Sequence, residues 1–358
     1  MRYQVVPEYS LISSLAEKRW PTYISKSNYI GSPSYLEHPV GCASFYCIHN
    51  DLRLFASINK AVFLQSNLIV ESLGSSRTYK QILSRWPGII GIRVFVSEDG
   101  DSHFFRAVSH RHEELVQHVS APTGDDPRRI LLFSTTQDDK NVHHFIFECI
   151  PRLMPFIRQP RNALKLFFCY PPSPFQLEFL SLLGIEFDCI FLSSPADVVF
   201  EEAIFASYPD PSFGHKPYLD SLKATVLPRV PFVQNSPRKI LVHRADSSNR
   251  SISNRNELID YYVSKGFFPI MMSQFRAVEQ ISFFSHADEI VFEGGAAGAF
   301  LAFCRPGTVV TEISPPPSYF GSFNGISPIH WLLSLTAELH YEYSLLDFVN
   351  GQLIFRKP

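Results

Sequence analysis

Three ionisable side chains share one face of a predicted helix near the middle of the chain. The segment NVHHFIFECIPRL covers residues 141–153, and its spacing places His144, Glu148 and Arg152 one turn apart. A histidine or glutamate on such a face can take a proton from a hydroxyl group as a general base. A half-buried face with an internal ion pair is the alternative. Metal binding by His143, His144 and Glu148 is a further alternative, although the spacing is not HExxH.

Two arginines lie in a polar loop that follows a predicted strand in the second half of the chain. The loop HRADSSNRSISN, residues 243–254, contains Arg244 and Arg250, and Asn254 caps the helix that follows. A planar guanidinium group fits phosphate oxygens, and a helix N-terminus adds backbone N–H donors. The loop therefore indicates an anion site, with a solvated loop carrying two exposed arginines as the alternative.

A glycine-containing turn follows another predicted strand. In EGGAAGAF, residues 293–300, Gly294 and Gly295 allow the backbone to approach a ligand, and Ala296 and Ala297 open the next helix. The segment is neither GxGxxG nor a P-loop, since no GK[ST] follows. A tight strand-to-helix turn that serves packing alone is the alternative.

Asp99-Gly100-Asp101 has the DxD pattern with which one class of sugar transferases binds a metal ion. It stands between two strand-like segments, IRVFVS and SHFFRAV. Asp-Gly between two strands favours a hairpin turn, so we do not assign a metal to this motif.

The elements that must position these side chains alternate between short apolar strands and helices. Strands are predicted at 128–134, 164–170, 188–194, 237–244, 267–272, 288–293 and 308–314, with an extended segment at 198–207. Helices are predicted at 141–157, 174–184, 216–228, 254–266, 277–287 and 296–307, followed by a long amphipathic helix at 327–343. Asn350-Gly351 suits a type I′ hairpin turn. Strands that alternate with helices predict an α/β fold with a doubly wound parallel sheet.

The alternation also gives a domain plan. We expect an N-terminal lobe over residues 1–229, β-rich in 1–125 and α/β in 126–229, a linker near 230–237, a C-terminal Rossmann-like lobe over 230–345, and a hairpin tail at 346–358. In such sheets ligands lie beyond the carboxyl ends of the strands, so two such lobes predict a ligand cleft between them.

Charge and composition exclude several classes of protein. The 358 residues include 32 basic and 34 acidic side chains, a net charge of -2, so no basic face indicates a nucleic-acid partner. The six cysteines form no CxxC and lie mostly in apolar segments, which disfavours a zinc site or a disulfide framework. Residues 1–30 show no basic-then-apolar signal pattern, and no run approaches the roughly 18 apolar residues that a membrane helix needs. We expect a cytoplasmic protein, with peripheral association at the inner membrane face left open.

In their order along the chain, these segments resemble glycosyltransferase family 61. Its N-[YF]-x-H-[FW]-x-x-[ED]-x-[LI]-P-R-[LI] pattern is matched by residues 141–153, and the arginine-rich stretch before N-E-x-E-L by HRADSSNRSISNRNEL. The E-Q-x-x-x-[FL]-x-x-A helix is matched by EQISFFSHA, which begins with Glu279 and Gln280. The closing G-x-H-G-A-G turn and V-x-E-[IL] strand are matched by FEGGAAGAFLAFCRPGTVVTEI, with Gly294 at the histidine and Phe300 at the asparagine of that pattern. The resemblance covers about residues 130–345.

The resemblance implies a GT-B fold with two Rossmann-like lobes and an inverting transfer that needs no metal ion or other cofactor. A nucleotide sugar is the implied donor, and a glycan or lipid-linked glycan of a surface polysaccharide, such as capsule or lipopolysaccharide, is the implied acceptor. The residues expected to bind the donor are Arg244, Arg250, Asn254, Glu279, Gln280, Gly294, Gly295, Ala296, Ala297 and Glu312. Glu312 ends the TVVTEI strand, where its carboxylate can hold ribose hydroxyls.

His144 and Glu148 remain equal candidates for the base, with Arg152 orienting Glu148. Three other functions stay open on the sequence. The chain could bind a nucleotide sugar without catalysis, it could be a metal-dependent hydrolase built on His143, His144 and Glu148, or it could be a phenylalanine-rich interaction scaffold.

Overall fold

The computed structural model describes the second half of the chain almost continuously and the first half in segments. The ranges described are 129–134, 140–153, 164–184, 187–192, 197–206, 216–231, 236–316, 319 and 329–357, together with nine strand segments before residue 120. The chain divides into two compact units. The first comprises residues 1–8, 42–177 and 185–212, and the second comprises residues 9–41, 178–184 and 213–358.

The first unit contains the larger sheet. The strands up to residue 206 are β1 (Tyr3–Val5), β2 (Tyr9–Ser10), β3 (Gly41–Cys42), β4 (Phe45–Phe55), β5 (Ala61–Leu64), β6 (Asn67–Ile69), β7 (Ile92–Val96), β8 (His103–Ala107), β9 (Val116–Val119), β10 (Arg129–Ser134), β11 (Leu164–Phe168), β12 (Asp188–Phe191) and β13 (Asp197–Ala206). The main path of the large sheet runs β12-β11-β10-β13-β4-β5-β6-β8-β7. Its α/β part, β10 to β13, pairs in parallel, which confirms the strands predicted there.

Strand β10 precedes the helical segment that carries the first candidate site. Leu131, Leu132 and Phe133 are fully buried, because a strand covered on both faces has no solvent side. The segment itself consists of α1 (Val142–His144), a π-helical turn (Phe145–Cys149) and α2 (Ile150–Leu153). The predicted helix is therefore confirmed to residue 153, and its predicted end lies outside the described residues.

The second unit contains a five-stranded parallel sheet. Its strands are β14 (Lys239–Val242), β15 (Phe268–Ile270), β16 (Glu289–Glu293), β17 (Val309–Ser314) and β18 (His340–Leu345), in the order β15-β14-β16-β17-β18. The other α-helices among the described residues are α3 (Pro174–Leu182), α4 (Lys216–Val226), α5 (Arg255–Ser264), α6 (Ala277–His286) and α7 (Ile329–Thr336). In the same residues, 3-10 turns cover Leu227–Arg229, Met272–Gln274 and Ala296–Phe303. Helix α3 contributes residues to both units. The predicted α/β fold with parallel strands is confirmed.

The order of these five strands reverses between β14 and β16. Counted from β14, the order is second, first, third, fourth, fifth, as in doubly wound sheets whose ligands lie at the switch point between the first and third strands. Leu258 and Tyr262 of α5 pack with Leu241 and Val291 on one face of the sheet. The ring of Phe292, next along β16, contacts His330 of α7 instead. The chain segments after β14 and β16 therefore separate at this switch point.

The predicted long helix over 327–343 is wrong. Helix α7 ends at Thr336, and β18 follows as the fifth strand of the sheet. Glu338 has φ +61°, a left-handed conformation that ends a helix. Beyond it, HYEYSL alternates between exposed residues and the more buried Tyr341 and Tyr343, which is the period of a strand rather than of a helix.

Three other sequence predictions have clear outcomes or fall outside the structure. The helix predicted at 296–307 is a 3-10 helix over Ala296–Phe303. The hairpin at Asn350-Gly351 is confirmed, because β19 (Asp347–Val349) pairs antiparallel with β20 (Gln352–Ile354) and both turn residues have positive φ. The Asp99-Gly100-Asp101 turn lies outside the described residues, although β7 and β8 on either side of it pair antiparallel.

Half of the predicted linker, residues 232–235, lies outside the described ranges. Within them, none of the helices combines the length and the apolar character needed to cross a membrane.

Candidate active site

The first site centres on a hydrogen-bonded pair, His144 and Glu148. The distance from His144 Nδ1 to Glu148 Oε1 is 2.7 Å, and both side chains are partly exposed. The Asn141 side chain caps the start of the segment by accepting a hydrogen bond from the backbone N–H of His143 at 2.8 Å. An ionised carboxylate can only accept hydrogen bonds, so the neutral imidazole carries its hydrogen on Nδ1 and its lone pair on Nε2. This is the orientation in which an acid partner prepares a histidine to act as a base.

Arg152 lies one helical turn further along and is almost completely buried, with 1% of its surface exposed. Its Nη1 donates to the carbonyl oxygen of Phe133 in β10 at 2.9 Å. This bond attaches the helical segment to the strand that precedes it. That Arg152 orients Glu148 stays a prediction.

A π-helical turn separates His144 from Arg152. Its closing hydrogen bond runs from the backbone N–H of Ile150 to the carbonyl oxygen of Phe145. Such turns are rare and occur frequently at functional sites, because one additional residue re-aims the side chains around it. Glu148 lies within this turn, and Phe145, Ile146 and Phe147 of the same turn are buried.

The metal-binding interpretation of this segment gains no support. The rings of His143 and His144 stand edge to face with their centroids 5.8 Å apart. Among the described residues, no three histidine, cysteine, aspartate or glutamate side chains are grouped as metal ligands.

The second site lies in the other unit, at the carboxyl ends of β14 and β16. We call residues 243–254 the arginine loop and residues 294–297 the glycine turn. Arg244 joins the two, because its Nη1 donates to the carbonyl oxygen of Gly294 at 3.0 Å and its Nη2 to Ser247 Oγ at 3.0 Å. The switch point of the sheet, where a ligand is expected, thus carries a guanidinium group fixed by two hydrogen bonds.

Arg250 brings a second positive charge to the same place. Its backbone has φ +58°, a left-handed conformation that costs a non-glycine residue on the order of 1 kcal/mol. Burial lowers the pKa of Arg250, and the charge of Arg244 lowers it further. Within the described ranges its guanidinium group has no hydrogen-bond partner. Two partly desolvated cations that repel each other favour an anion between them.

The backbone is packed closely against other side chains at Gly294, in the glycine turn, and at Gly298, just beyond it. A Cβ atom at Gly294 would overlap Oε1 of Glu312, and one at Gly298 would overlap the imidazole of His330. A histidine at position 294, as in the family pattern, would therefore require the Glu312 side chain to move. Ala296 and Ala297 begin the 3-10 helix and are half-buried. Phe300, which stands where the family pattern has asparagine, is buried, and its ring centroid lies 5.5 Å from that of Phe284.

Glu312 belongs to a buried cluster beneath the glycine turn. Its Oε2 accepts hydrogen bonds from His330 Nδ1, at 2.8 Å, and from the Tyr341 hydroxyl. Burial, and then the charge of Glu312, raise the pKa of Tyr341 well above its usual value. The carboxylate predicted for ribose binding therefore holds α7 and β18 against β17. Sequence reasoning missed both partners, since they lie in elements whose pairing no local pattern reveals.

Three other predicted donor residues make hydrogen bonds to the backbone. Asn254 bonds both backbone groups of Phe355, at 2.8 and 2.9 Å. Glu279 accepts from the N–H of Arg276 at 2.8 Å. Gln280 donates to the carbonyl oxygens of Met272 and Phe275, both at 2.8 Å. These three side chains fix the ends of α5 and α6, rather than joining the two arginines.

An ion pair that the sequence did not predict lies at the same edge of the sheet. Arg255 donates from Nε and Nη2 to the two carboxylate oxygens of Glu293, at 2.9 and 3.0 Å. The exposed fractions of these side chains are 13% and 5%. The positions of the two residues could have indicated this pair. Glu293 is the last residue of β16, and Arg255 is the first residue of α5.

His243 is not among the predicted site residues. It is half-buried directly after β14, and in the described part of the chain nothing bonds its buried Nδ1. Burial lowers the pKa of His243 below its usual value, while the charge of Glu293 opposes that shift. The imidazole is therefore neutral beside the arginine loop at physiological pH.

Replacing His243 with glutamine is expected to reduce the loss of stability at acid pH. Because the pKa of His243 is lowered from 6.5 in the folded protein, the unfolded chain binds more protons below that pH. The resulting stability is present above about pH 6.5 and is lost as the pH falls. Urea unfolding between about pH 5 and 7.5 measures the effect, with the exposed His340→Gln as the matched control. If His243→Gln leaves the decrease in unfolding free energy below about pH 6.5 unchanged, the lowered pKa of His243 is contradicted.

Residues 142–311 match the family model described as Glycosyltransferase 61. No curated protein matches the sequence significantly. The matched range begins at α1 and ends within β17, so it includes the His144–Glu148 pair, the arginine loop and the glycine turn. Residues 142–311 therefore form a glycosyltransferase family 61 domain, and the chain is a glycosyltransferase.

Proposed function

We propose that this enzyme transfers a sugar from a nucleotide-sugar donor to a hydroxyl group of a glycan, with inversion and without a metal ion. The observation that carries the proposal is the pair of arginines at the switch point of the five-stranded sheet, with Arg244 bonded to the glycine turn. The two units are, in this proposal, the two Rossmann-like lobes of a GT-B transferase. A surface polysaccharide, or its lipid-linked precursor, is the proposed acceptor.

The arginine loop and the glycine turn supply what a donor diphosphate needs. Arg244 and Arg250 provide positive charge and several N–H donors. The backbone N–H groups at Gly295, Ala296 and Ala297 add neutral donors near the start of the 3-10 helix. These groups stabilise the negative charge that develops on the nucleoside diphosphate as the bond to the sugar breaks, and they are in place before the reaction.

The His144–Glu148 pair supplies the base. In the proposed step, His144 Nε2 takes the proton of the acceptor hydroxyl while the oxygen of that hydroxyl attacks the anomeric carbon of the donor sugar. The electron pair of the breaking bond leaves with the nucleoside diphosphate. Glu148 holds the hydrogen on Nδ1 and stabilises the imidazolium that forms. One in-line attack inverts the anomeric centre, so a single base is sufficient.

Removing either arginine of the loop is expected to weaken donor binding. A hydrogen bond to a charged group contributes about 1.5–3 kcal/mol, so Arg244→Ala and Arg250→Ala should each raise the dissociation constant at least about tenfold. Titration calorimetry with UDP, GDP, CDP and CMP identifies the nucleotide and measures the change. Arg238→Ala is the control, because this exposed arginine pairs with Asp288 at the amino ends of the strands. Unchanged nucleotide affinity in both loop variants contradicts this donor site.

Replacing His144 with alanine is expected to lower kcat by about 10²- to 10⁴-fold, the usual contribution of a general base. Glu148→Gln should lower kcat less and shift the pH dependence of kcat, because an amide cannot stabilise the imidazolium ion. His143→Gln is the control on the same helix. Sugar transfer to a glycan acceptor is the measurement. If neither His144→Ala nor Glu148→Gln lowers turnover tenfold, the base lies elsewhere.

Treatment with EDTA is expected to leave transfer unchanged, since the proposed charge stabilisation comes from arginines and backbone N–H groups. The rate is measured before chelation, after it, and after adding back Mg²⁺ or Mn²⁺. Inactivation that a divalent ion reverses would overturn the metal-independent mechanism.

A further inference from the structure

We propose that Arg255 and Glu293 are a positioning pair that holds the arginine loop against the glycine turn and keeps the Glu293 carboxylate from opposing the donor diphosphate. This inference rests on the proposed donor site and deepens it. Neither residue is assigned to touch the donor. They act through Arg244, Arg250 and the backbone of the glycine turn.

The Arg255–Glu293 pair has a bidentate geometry. Glu293 ends β16, and Arg255 begins α5. Two parallel hydrogen bonds, at 2.9 and 3.0 Å, join the guanidinium fork to both carboxylate oxygens. This bidentate arrangement fixes direction as well as distance. Because both side chains are largely buried, water competes little for these bonds.

The pair also lies at a specific place along the chain, just beyond the end of the arginine loop. The arginine loop begins after β14 and ends at Asn254. Near its start, Arg244 bonds to Gly294, and just beyond its end, Arg255 bonds to Glu293. Both ends of the loop are thus held by consecutive residues of the β16 segment. Asn254 secures the second end further through the backbone of Phe355. Arg250 lies between these two fixed points.

The pair also affects the charge around Arg250. Glu293 is close enough to Arg250 for its carboxylate to raise the pKa of that guanidinium group. An unpaired carboxylate here would repel a diphosphate bound to the same arginines. Arg255 neutralises it locally through its two hydrogen bonds. The two charges of the pair act in opposite directions on the pKa of His243, at the end of β14. The arginines of the loop therefore keep their positive potential for an anionic ligand.

The test is a set of variants measured by calorimetry with the nucleoside diphosphate that the wild-type enzyme binds among UDP, GDP and CDP. Arg255→Gln leaves the carboxylate unpaired, and its dissociation constant should rise at least about tenfold. The double variant Arg255→Gln with Glu293→Gln removes the opposing charge and should regain most of that affinity. Arg255→Lys keeps the charge without the fork, so its affinity should fall between wild type and Arg255→Gln.

The matched control uses the same two strands at their other ends. Lys239, the first residue of β14, pairs with Glu289, the first residue of β16, at 2.6 Å. Lys239→Gln should leave nucleotide affinity unchanged. Thermal unfolding of every variant separates folding from binding, and the double variant and Arg255→Lys keep the test informative if Arg255→Gln is poorly folded.

The outcomes distinguish this inference from the proposed function. Coupling between the two positions, with affinity restored in the double variant and KM for the donor changed more than kcat, supports the positioning pair. A purely structural pair predicts lower unfolding temperatures with unchanged affinity, which overturns it. Additive losses in the double variant overturn it as well. If Arg244→Ala leaves affinity unchanged, or wild type binds none of the nucleotides, the donor site itself fails.

Discussion

The reversal of strand order between β14 and β16 is the constraint on which the second site depends. Parallel strands bring their carboxyl ends to one edge of a sheet, and the reversal sends the segments that follow them to different faces. The backbone of Gly294 is left at that edge, where the Arg244 guanidinium group bonds it. The arginine loop and the glycine turn, fifty residues apart at this bond, become one surface because of strand order.

The glycine turn in turn depends on what lies beneath it. A Cβ atom would overlap Glu312 at Gly294 and His330 at Gly298, so a side chain at either position would displace one of these two bonded residues. A buried carboxylate is costly unless it is hydrogen-bonded, and here the partners come from α7 and β18. The glycines are therefore a packing requirement as much as a means of bringing backbone N–H groups to a ligand.

The sequence predicted what depends on short-range pattern. The apolar runs around residues 128–134 and 288–293 are strands, as their composition indicated, and the hairpin at Asn350-Gly351 follows from residues that tolerate positive φ. The long helix failed because its amphipathic pattern continues past Glu338, where the backbone turns left-handed. Partners distant in sequence were out of reach: Glu312 meets residues 18 and 29 positions away.

The same limit applied to the roles of individual site residues. Asn254 was predicted to cap α5, and it occupies the N-cap position, but its side chain makes no capping hydrogen bond. It bonds the backbone of Phe355, 101 positions away, instead. His144 and Glu148, in contrast, are four residues apart, and their pairing followed from helical spacing alone. Spacing could not say which of the two is the base. The proposal of His144 rests on its hydrogen bond to Glu148 at Nδ1, which leaves the lone pair of the neutral ring on Nε2.

Pairing of carboxylates is the feature that the two sites share. Glu148 is bonded to His144, Glu293 to Arg255, and Glu312 to His330 and Tyr341. In a chain whose net charge is -2, long-range attraction does not concentrate an anionic substrate. In the proposed donor site, binding therefore depends on the local positive charge of Arg244 and Arg250, on which the nearby Glu293 and Glu312 act. By bonding these two acids to other partners, the protein limits how far they offset that charge.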